Sequence, residues 1–173
     1  SCVRYGNVAG SRGSVLTTFI AQSKQGAVTI TDERMTRFWL TLEQGIEFVI
    51  NCCNRMRGGE IFVPKIPSMR VTDLADMIAP TATRVVIGIR PGEKLHEILI
   101  TEDEARRTKE YDNYYTIAPE FQYWSKETED GKDLPEGFQF ASDTNTRWLS
   151  KDDLRRIVDT IESESLSVRH QQM

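Results

Sequence analysis

Cysteine is scarce in this chain and does not pair up: Cys2, Cys52 and Cys53 are the three thiols among 173 residues. The count is odd and two are adjacent, which suits neither a disulfide framework nor a zinc site with paired ligand spacing. Reduced thiols on an apolar face are the expectation. No run reaches the roughly 18 apolar residues of a membrane-spanning helix, so no membrane contact is expected. The opening Ser1-Cys2-Val3-Arg4-Tyr5 lacks the marks of a signal peptide, and a cytoplasmic location is the reading. Charge of one sign is missing too. Lys and Arg number 22 against 26 Asp and Glu, a net charge of -4, and the two signs are mixed along the sequence. That leaves no basic stripe for nucleic acid and no acidic tail.

Several catalytic signatures are absent as well. No Gly-x-Gly-x-x-Gly or Gly-x-x-Gly-x-x-Gly follows a strand, and no Tyr has a Lys four residues later. Nothing supports a Ser-His-Asp or Cys-His site. Histidine occurs twice, as His96 and His170. A lone histidine such as His96, on what reads as a helix, more often makes structural hydrogen bonds than catalyses. His170 falls in a polar tail and calls for no role.

What is present reads as mixed α/β. Residues 1–5 look like the inside of a strand, an odd natural beginning, and the expectation is that something precedes it. A loop with glycines at 6, 10 and 13 follows, then a helix over 15–24 and a short strand over 28–30. Thr41-Leu42-Glu43-Gln44 has capping-box spacing. The helix behind it, to about Asn54, is expected to bury Leu42, Ile46, Val49 and Ile50. Gly58-Gly59 turns the chain into the strand Glu60-Ile61-Phe62-Val63, stopped by Pro64 and Pro67. A short helix over 72–79 and a strand over 84–89 come next. The turn Arg90-Pro91-Gly92-Glu93 then leads into a helix expected from Glu93. Thr101-Glu102-Asp103-Glu104 is a second capping box and 114–117 a strand, while the polar stretch 125–137 reads as a mobile loop. Ser150 should cap a last helix with Leu149 and Leu154 as its hydrophobic staple. Leu154, Ile157, Val158 and Ile161 form its apolar stripe, and the tail frays beyond about Ser163.

Besides His96, three places could carry chemistry. A strand entering the loop Gly6 to Gly13 puts Asn7 and Arg12 at the carboxyl end of a sheet, where open α/β sheets bind ligands. Asn7 both donates and accepts, and Arg12 could reach a phosphate; a purely structural loop is the other reading. In Met35-Thr36-Arg37-Phe38-Trp39, Arg37 either lays its stem on the rings or serves as a fixed fork for a pyrophosphate. In Arg90-Pro91-Gly92-Glu93-Lys94-Leu95-His96-Glu97, the turn lets Arg90 and Glu93 emerge on one side. A guanidinium suits a diphosphate, and a carboxylate suits the two hydroxyls of a ribose.

Taken together and in order, these runs, with Thr31-Asp32 and Gly58-Gly59-Glu60-Ile61-Phe62-Val63-Pro64, resemble the inverting UDP-N-acetylglucosamine 4,6-dehydratases over about residues 1–160. That group belongs to the extended short-chain dehydrogenases/reductases and opens pseudaminic acid and related bacterial glycan pathways. The resemblance implies the C-terminal part of such an α/β enzyme. Residues 1–163 would hold the last Rossmann-sheet strands and a small mixed substrate-binding region, with 164–173 a polar tail. It implies that Arg37, Arg90 and Glu93 hold the UDP part of a UDP-sugar, and that Asn7 and Arg12 line the diphosphate or sugar region. It also implies NADP and a homo-oligomer in the intact parent. The family's cofactor loop, its Tyr-x-x-x-Lys pair and its catalytic Asp-Lys pair lie before the region matching residue 1. This chain alone is therefore expected to bind no cofactor and to be inactive, since binding groups do not replace a positioned base. Bare apolar surface and association are expected with it. Other readings are a different sugar-nucleotide dehydratase or epimerase, a non-catalytic nucleotide-sugar-binding or assembly module, or a truncated product.

Overall fold

Seventeen elements follow one another in the computed structural model, which describes residues 1–11, 13–121 and 130–171. The first half runs β1 Cys2–Val3, β2 Asn7–Val8, α1 Val15–Ser23, β3 Ala27–Ile30, β4 Thr36–Leu40, α2 Leu42–Cys53, β5 Ile61–Pro64, β6 Ser68–Arg70 and α3 Val71–Ile78. The second runs β7 Thr83–Val86, β8 Ile98–Ile100, α4 Glu102–Ala105, β9 Thr108–Glu110, β10 Tyr114–Ile117, β11 Lys132–Asp133, β12 Phe140–Ala141 and α5 Lys151–Gln171.

The caps read from the sequence are the caps observed. Thr41 Oγ1 accepts the Gln44 N–H at 3.3 Å while Gln44 Oε1 accepts the Thr41 N–H at 2.9 Å. Thr101 and Glu104 repeat this box on α4. On α5, Ser150 Oγ accepts the Asp153 N–H at 3.1 Å and Asp153 accepts the Ser150 N–H at 3.1 Å. Leu154 and Val158 are buried and Ile157 and Ile161 partly so. Helix α5 then continues to Gln171, past the point near Ser163 where its sequence turns polar.

Strands are arranged in a five-stranded sheet, a three-stranded sheet and two pairs. The first has the order β1-β5-β10-β9-β11, with β1 parallel to β5 and the remaining neighbours antiparallel. The second has the order β2-β4-β6, with β2 parallel and β6 antiparallel to β4. β3 pairs β7 in parallel, and β8 pairs β12 antiparallel. The stretch 125–129 of the expected loop lies outside the described residues. Its continuation contributes β11 to a sheet edge, where Lys109 Nζ meets Asp133 at 2.7 Å.

Strand β4 divides two apolar cores, which is why Phe38-Trp39-Leu40 reads as a continuous apolar run. Trp39 faces Leu16, Phe19, Val28, Ile30, Met69, Leu74 and Leu154. Phe38 and Leu40 face Val63, Leu99, Ile100, Tyr115, Ile117 and Phe140. Gly6 is required where β2 meets β4. A Cβ there would lie 2.4 Å from Phe38 Cβ and 2.6 Å from Phe38 O, with no room for any side chain.

Several expectations are not met. The apolar stripe of α2 is not buried: Leu42, Ile46 and Ile50 are 56%, 51% and 58% exposed, and the helix buries Gly45 and Cys52 instead. An amphipathic stripe shows that a helix has an apolar face, not which surface meets it. The helix expected from Glu93 does not form either, so His96 sits on no helix. The carbonyls of Lys94 and Leu95 accept from Arg37 at 2.9 and 3.0 Å, and Leu95 O also accepts the Thr36 N–H at 3.2 Å. Those carbonyls are drawn to β4 rather than to the next helical turn. The strand expected over 84–89 is likewise shorter, ending at Val86.

Candidate functional site

The segment 90–97 lies across one end of β4 and brings three of the five expected residues together. Pro91 and Gly92 make the turn, with Gly92 at φ +81° in the left-handed region that glycine adopts without strain. The Glu93 N–H donates to Arg90 O at 3.0 Å and closes it. The Glu93 carboxylate stands 3.4 Å from Thr31 Oγ1, 3.4 Å from the Arg90 N–H and 3.8 Å from Arg37 Nη2. Arg37 enters from β4 with its side chain only 13% exposed. Besides Lys94 and Leu95, it donates to Thr36 O at 2.7 Å. Its fork therefore grips the chain itself, and the positive charge it brings lies beside Glu93. Arg90 is exposed at the rim. Arg12 lies outside the described residues.

Asn7 reaches the same end from β2, opposite Trp39 in the parallel register. Next to it stands Glu97, a residue of the motif to which the sequence reading gave no role. Glu97 Oε2 accepts the Phe38 N–H at 2.9 Å. Burial pushes this carboxyl above the usual carboxylate range, opposed by the Phe38 N–H and by Arg37 and Lys94. His96 Nδ1 lies 2.8 Å from Thr36 Oγ1, which lies 2.7 Å from Ser142 Oγ. The loop after β12 is tied in by the Glu97 N–H donating to Ser142 Oγ at 2.9 Å and the Ser142 N–H donating to Glu97 O at 2.8 Å. His96 thus has the structural hydrogen bond expected of a lone histidine. No local pattern could have disclosed Ser142, because the contact joins residues 45 apart.

Chemically, this corner offers carboxylates, an amide, hydroxyls and guanidinium charge, which suit a polar, hydroxyl-rich or anionic ligand. Among the described residues no group of three or more His, Cys, Asp or Glu is placed to hold a metal ion. Cys52 is a thiol of low reactivity, its pKa pushed up to about 11 by burial. A cavity of about 610 Å³ opens elsewhere, between α2 and β10, and is lined by Phe48, Arg55, Lys65 and Tyr114. Asn7, Arg37, Arg90 and Glu93 are not among the described residues that line it. Its rings are already in use: Tyr111 stacks on Tyr114 at 4.6 Å, and the Arg55 guanidinium lies 5.0 Å over Tyr114.

Comparison with known proteins agrees with the motifs. Residues 1–119 match the family described as polysaccharide biosynthesis protein. An inverting UDP-N-acetylglucosamine 4,6-dehydratase of Campylobacter jejuni subsp. jejuni serotype O:2 is 47% identical over 169 residues, covering 92% of this chain and 51% of that protein. A UDP-glucose 4-epimerase of Rickettsia canadensis is 39% identical over 122 residues, covering 67% of this chain and 36% of that protein. The X-ray structure of Pen from Bacillus thuringiensis superposes with a TM-score of 0.79 at 32% identity, over 92% of this chain and 49% of that one. The chain spans about half the length of the inverting dehydratase it matches. The mixed α/β architecture agrees with a portion of an extended short-chain dehydrogenase/reductase. The motif resemblance to the inverting dehydratases thus extends over most of the sequence, and this chain belongs to the polysaccharide biosynthesis protein family.

Proposed function

We propose that this chain is the UDP-sugar-binding portion of a nucleotide-sugar 4,6-dehydratase that acts on UDP-N-acetylglucosamine with inversion at C5. The observation that carries this reading is the 47% identity to an inverting dehydratase across 92% of the chain. Arg90, Glu93 and Arg37 hold the UDP part, with Arg37 also fixing the loop that presents Glu93. Asn7 and Arg12 line the diphosphate or sugar side. Residues 1–163 form this binding region, and the parent assembles as a homo-oligomer.

Of the two glycines between β2 and α1, Gly13 faces open space and Gly10 is packed. A Cβ on Gly10 would meet Ile161 of α5 at 3.1 Å, so helix packing fills that side. We assign NADP binding, hydride transfer and proton transfer to parts of the parent outside this chain, because the resembled family's cofactor loop and its Tyr-x-x-x-Lys pair have no counterpart in this sequence, and we expect this chain alone to be inactive. Among the described residues no helix is long and apolar enough to cross a membrane.

The test is to incubate UDP-N-acetylglucosamine with the 173-residue chain and, separately, with the intact parent, following loss of water by mass spectrometry. Turnover by the parent and none by the chain is the expected pair of results. Dehydration by the chain alone would overturn the assignment of catalysis elsewhere. The likeness to a UDP-glucose 4-epimerase favours a second reading, in which the parent changes configuration at C4 and the product keeps the mass of the substrate.

A further inference from the structure

Glu97 and Asn7 are close enough to settle which way the Asn7 amide faces. One terminal atom of that amide lies 2.9 Å from Glu97 Oε1 and 3.3 Å from Oε2. An ionised carboxylate only accepts hydrogen bonds, and an Asn amide has one accepting and one donating end. The atom against Glu97 is therefore the nitrogen, because a carbonyl oxygen there would set acceptor against acceptor. With the nitrogen held, Oδ1 is the end left for anything that docks beside exposed Asn7.

The carboxylate is itself fixed. Its Oε2 accepts the Phe38 N–H from β4, and the Glu97 backbone is tied through both its N–H and its carbonyl to Ser142. The charged groups around it are Arg37 of β4 and Lys94 of its own segment, both cationic. His96 is turned toward Thr36 and Asp143.

We infer that Glu97 is a positioning residue that holds the Asn7 amide nitrogen and so presents the Asn7 carbonyl oxygen to the ligand. This corner then takes a hydrogen-bond donor, a sugar hydroxyl or an acetamido N–H, and disfavours a phosphate oxygen. The ligand half of the inference rests on the nucleotide-sugar reading above; the Asn7–Glu97 pairing stands without it. It decides between the two roles left open for Asn7, in favour of the sugar.

Two measurements on the whole chain test it. In the first, the side-chain amide resonances of ¹⁵N-labelled protein are followed from about pH 3 to 8, spanning the carboxylate range. The Asn7 pair is identified by its loss in Asn7→Ser. A single titration of that pair with a midpoint above the ordinary carboxylate range, abolished in Glu97→Gln, is expected. An Asn7 pair that ignores pH, or that titrates unchanged in Glu97→Gln, would overturn the pairing. The unsubstituted protein gives this answer even if Glu97→Gln folds poorly.

The second measurement compares UDP and UDP-N-acetylglucosamine by calorimetry. In Glu97→Gln the single amide oxygen goes to the Phe38 N–H, leaving an NH₂ against Asn7, which must then turn its own nitrogen toward the ligand. The advantage of UDP-N-acetylglucosamine over UDP should fall by about fivefold, the loss of one hydrogen bond, while UDP affinity holds. Equal affinity for both ligands in the unsubstituted protein, or equal weakening of both in the variant, would overturn the donor-reading role. Absence of UDP binding by the folded chain would reject the nucleotide-sugar reading and the ligand half with it, while the titration still decides the pairing.

Discussion

Arg37 donates to three main-chain carbonyls, those of Thr36, Lys94 and Leu95, at 2.7, 2.9 and 3.0 Å. Removing the guanidinium leaves partly buried acceptors without a donor, a loss of about 1–3 kcal/mol. Arg37→Ala should therefore lower the urea midpoint, and Arg37→Lys should recover only part of it, because an ammonium cannot fork across two residues. An unchanged midpoint in Arg37→Ala would show that the loop stands without it. A second charge pair gives a pH dependence. Arg4 binds both oxygens of Glu104 at 2.9 Å and holds its pKa down to about 2. The folded pKa is depressed, so the stability from this pair is present above the unfolded value and is lost as pH falls through about 2. Arg4→Ala should flatten the acid limb of stability against pH; an identical limb in the variant would remove the pair from the account. Glu97 has the opposite sense. Burial raises its folded pKa, so the stability linked to its protonation is present below the unfolded value and is lost as pH rises through the folded one.

Helix α2 separates what a local pattern specifies from what it leaves open. Thr41 and Gln44 define its start through side chains three residues apart, and both halves of the box are formed. The stripe of Leu42, Ile46, Val49 and Ile50 was equally legible, but its burial depends on a partner surface that no helix encodes. Thr41→Ala should cost about 1 kcal/mol, and Ile46→Glu or Ile50→Glu about 0.5 kcal/mol or less either way. Leu154→Ala, emptying a fully buried site on α5, should cost about 2–5 kcal/mol. Denaturation of the four variants side by side checks the order, and a large loss at Ile50 would place α2 against a surface after all. Strands were legible where turn residues bound them, as Tyr114–Ile117 was. The two-residue strands β2 and β12 exist only through distant partners, Trp39 and Leu40 for the one and Ile98 and Ile100 for the other. The helix expected at Glu93 failed for the same reason, since its carbonyls are claimed by residues nearly sixty positions earlier.

For the molecule as a whole, two cores share β4, and parallel strands end at surfaces of the described chain. β1 meets only β5, and β7, paired only with β3, is exposed along its length. Parallel strands are ordinarily covered on both faces, and within the described residues β7 is not. The site was legible in part on the same terms. Arg37, Arg90 and Glu93, singled out from two separate motifs, meet around the turn at 90–93, while Asn7 stands at the start of β2 beside Glu97; their part in binding is the proposal above. The Glu97–Ser142 tie and the use of Arg37 on the main chain were hidden, since both depend on segments that meet only after folding. The most direct test of nucleotide binding is UDP calorimetry on this chain beside Arg90→Ala, a rim residue whose loss leaves both cores untouched. Saturable binding that weakens at least tenfold in the variant, roughly 1.4 kcal/mol, is the predicted result; equal binding by both proteins, or none by a folded chain, would contradict the assignment.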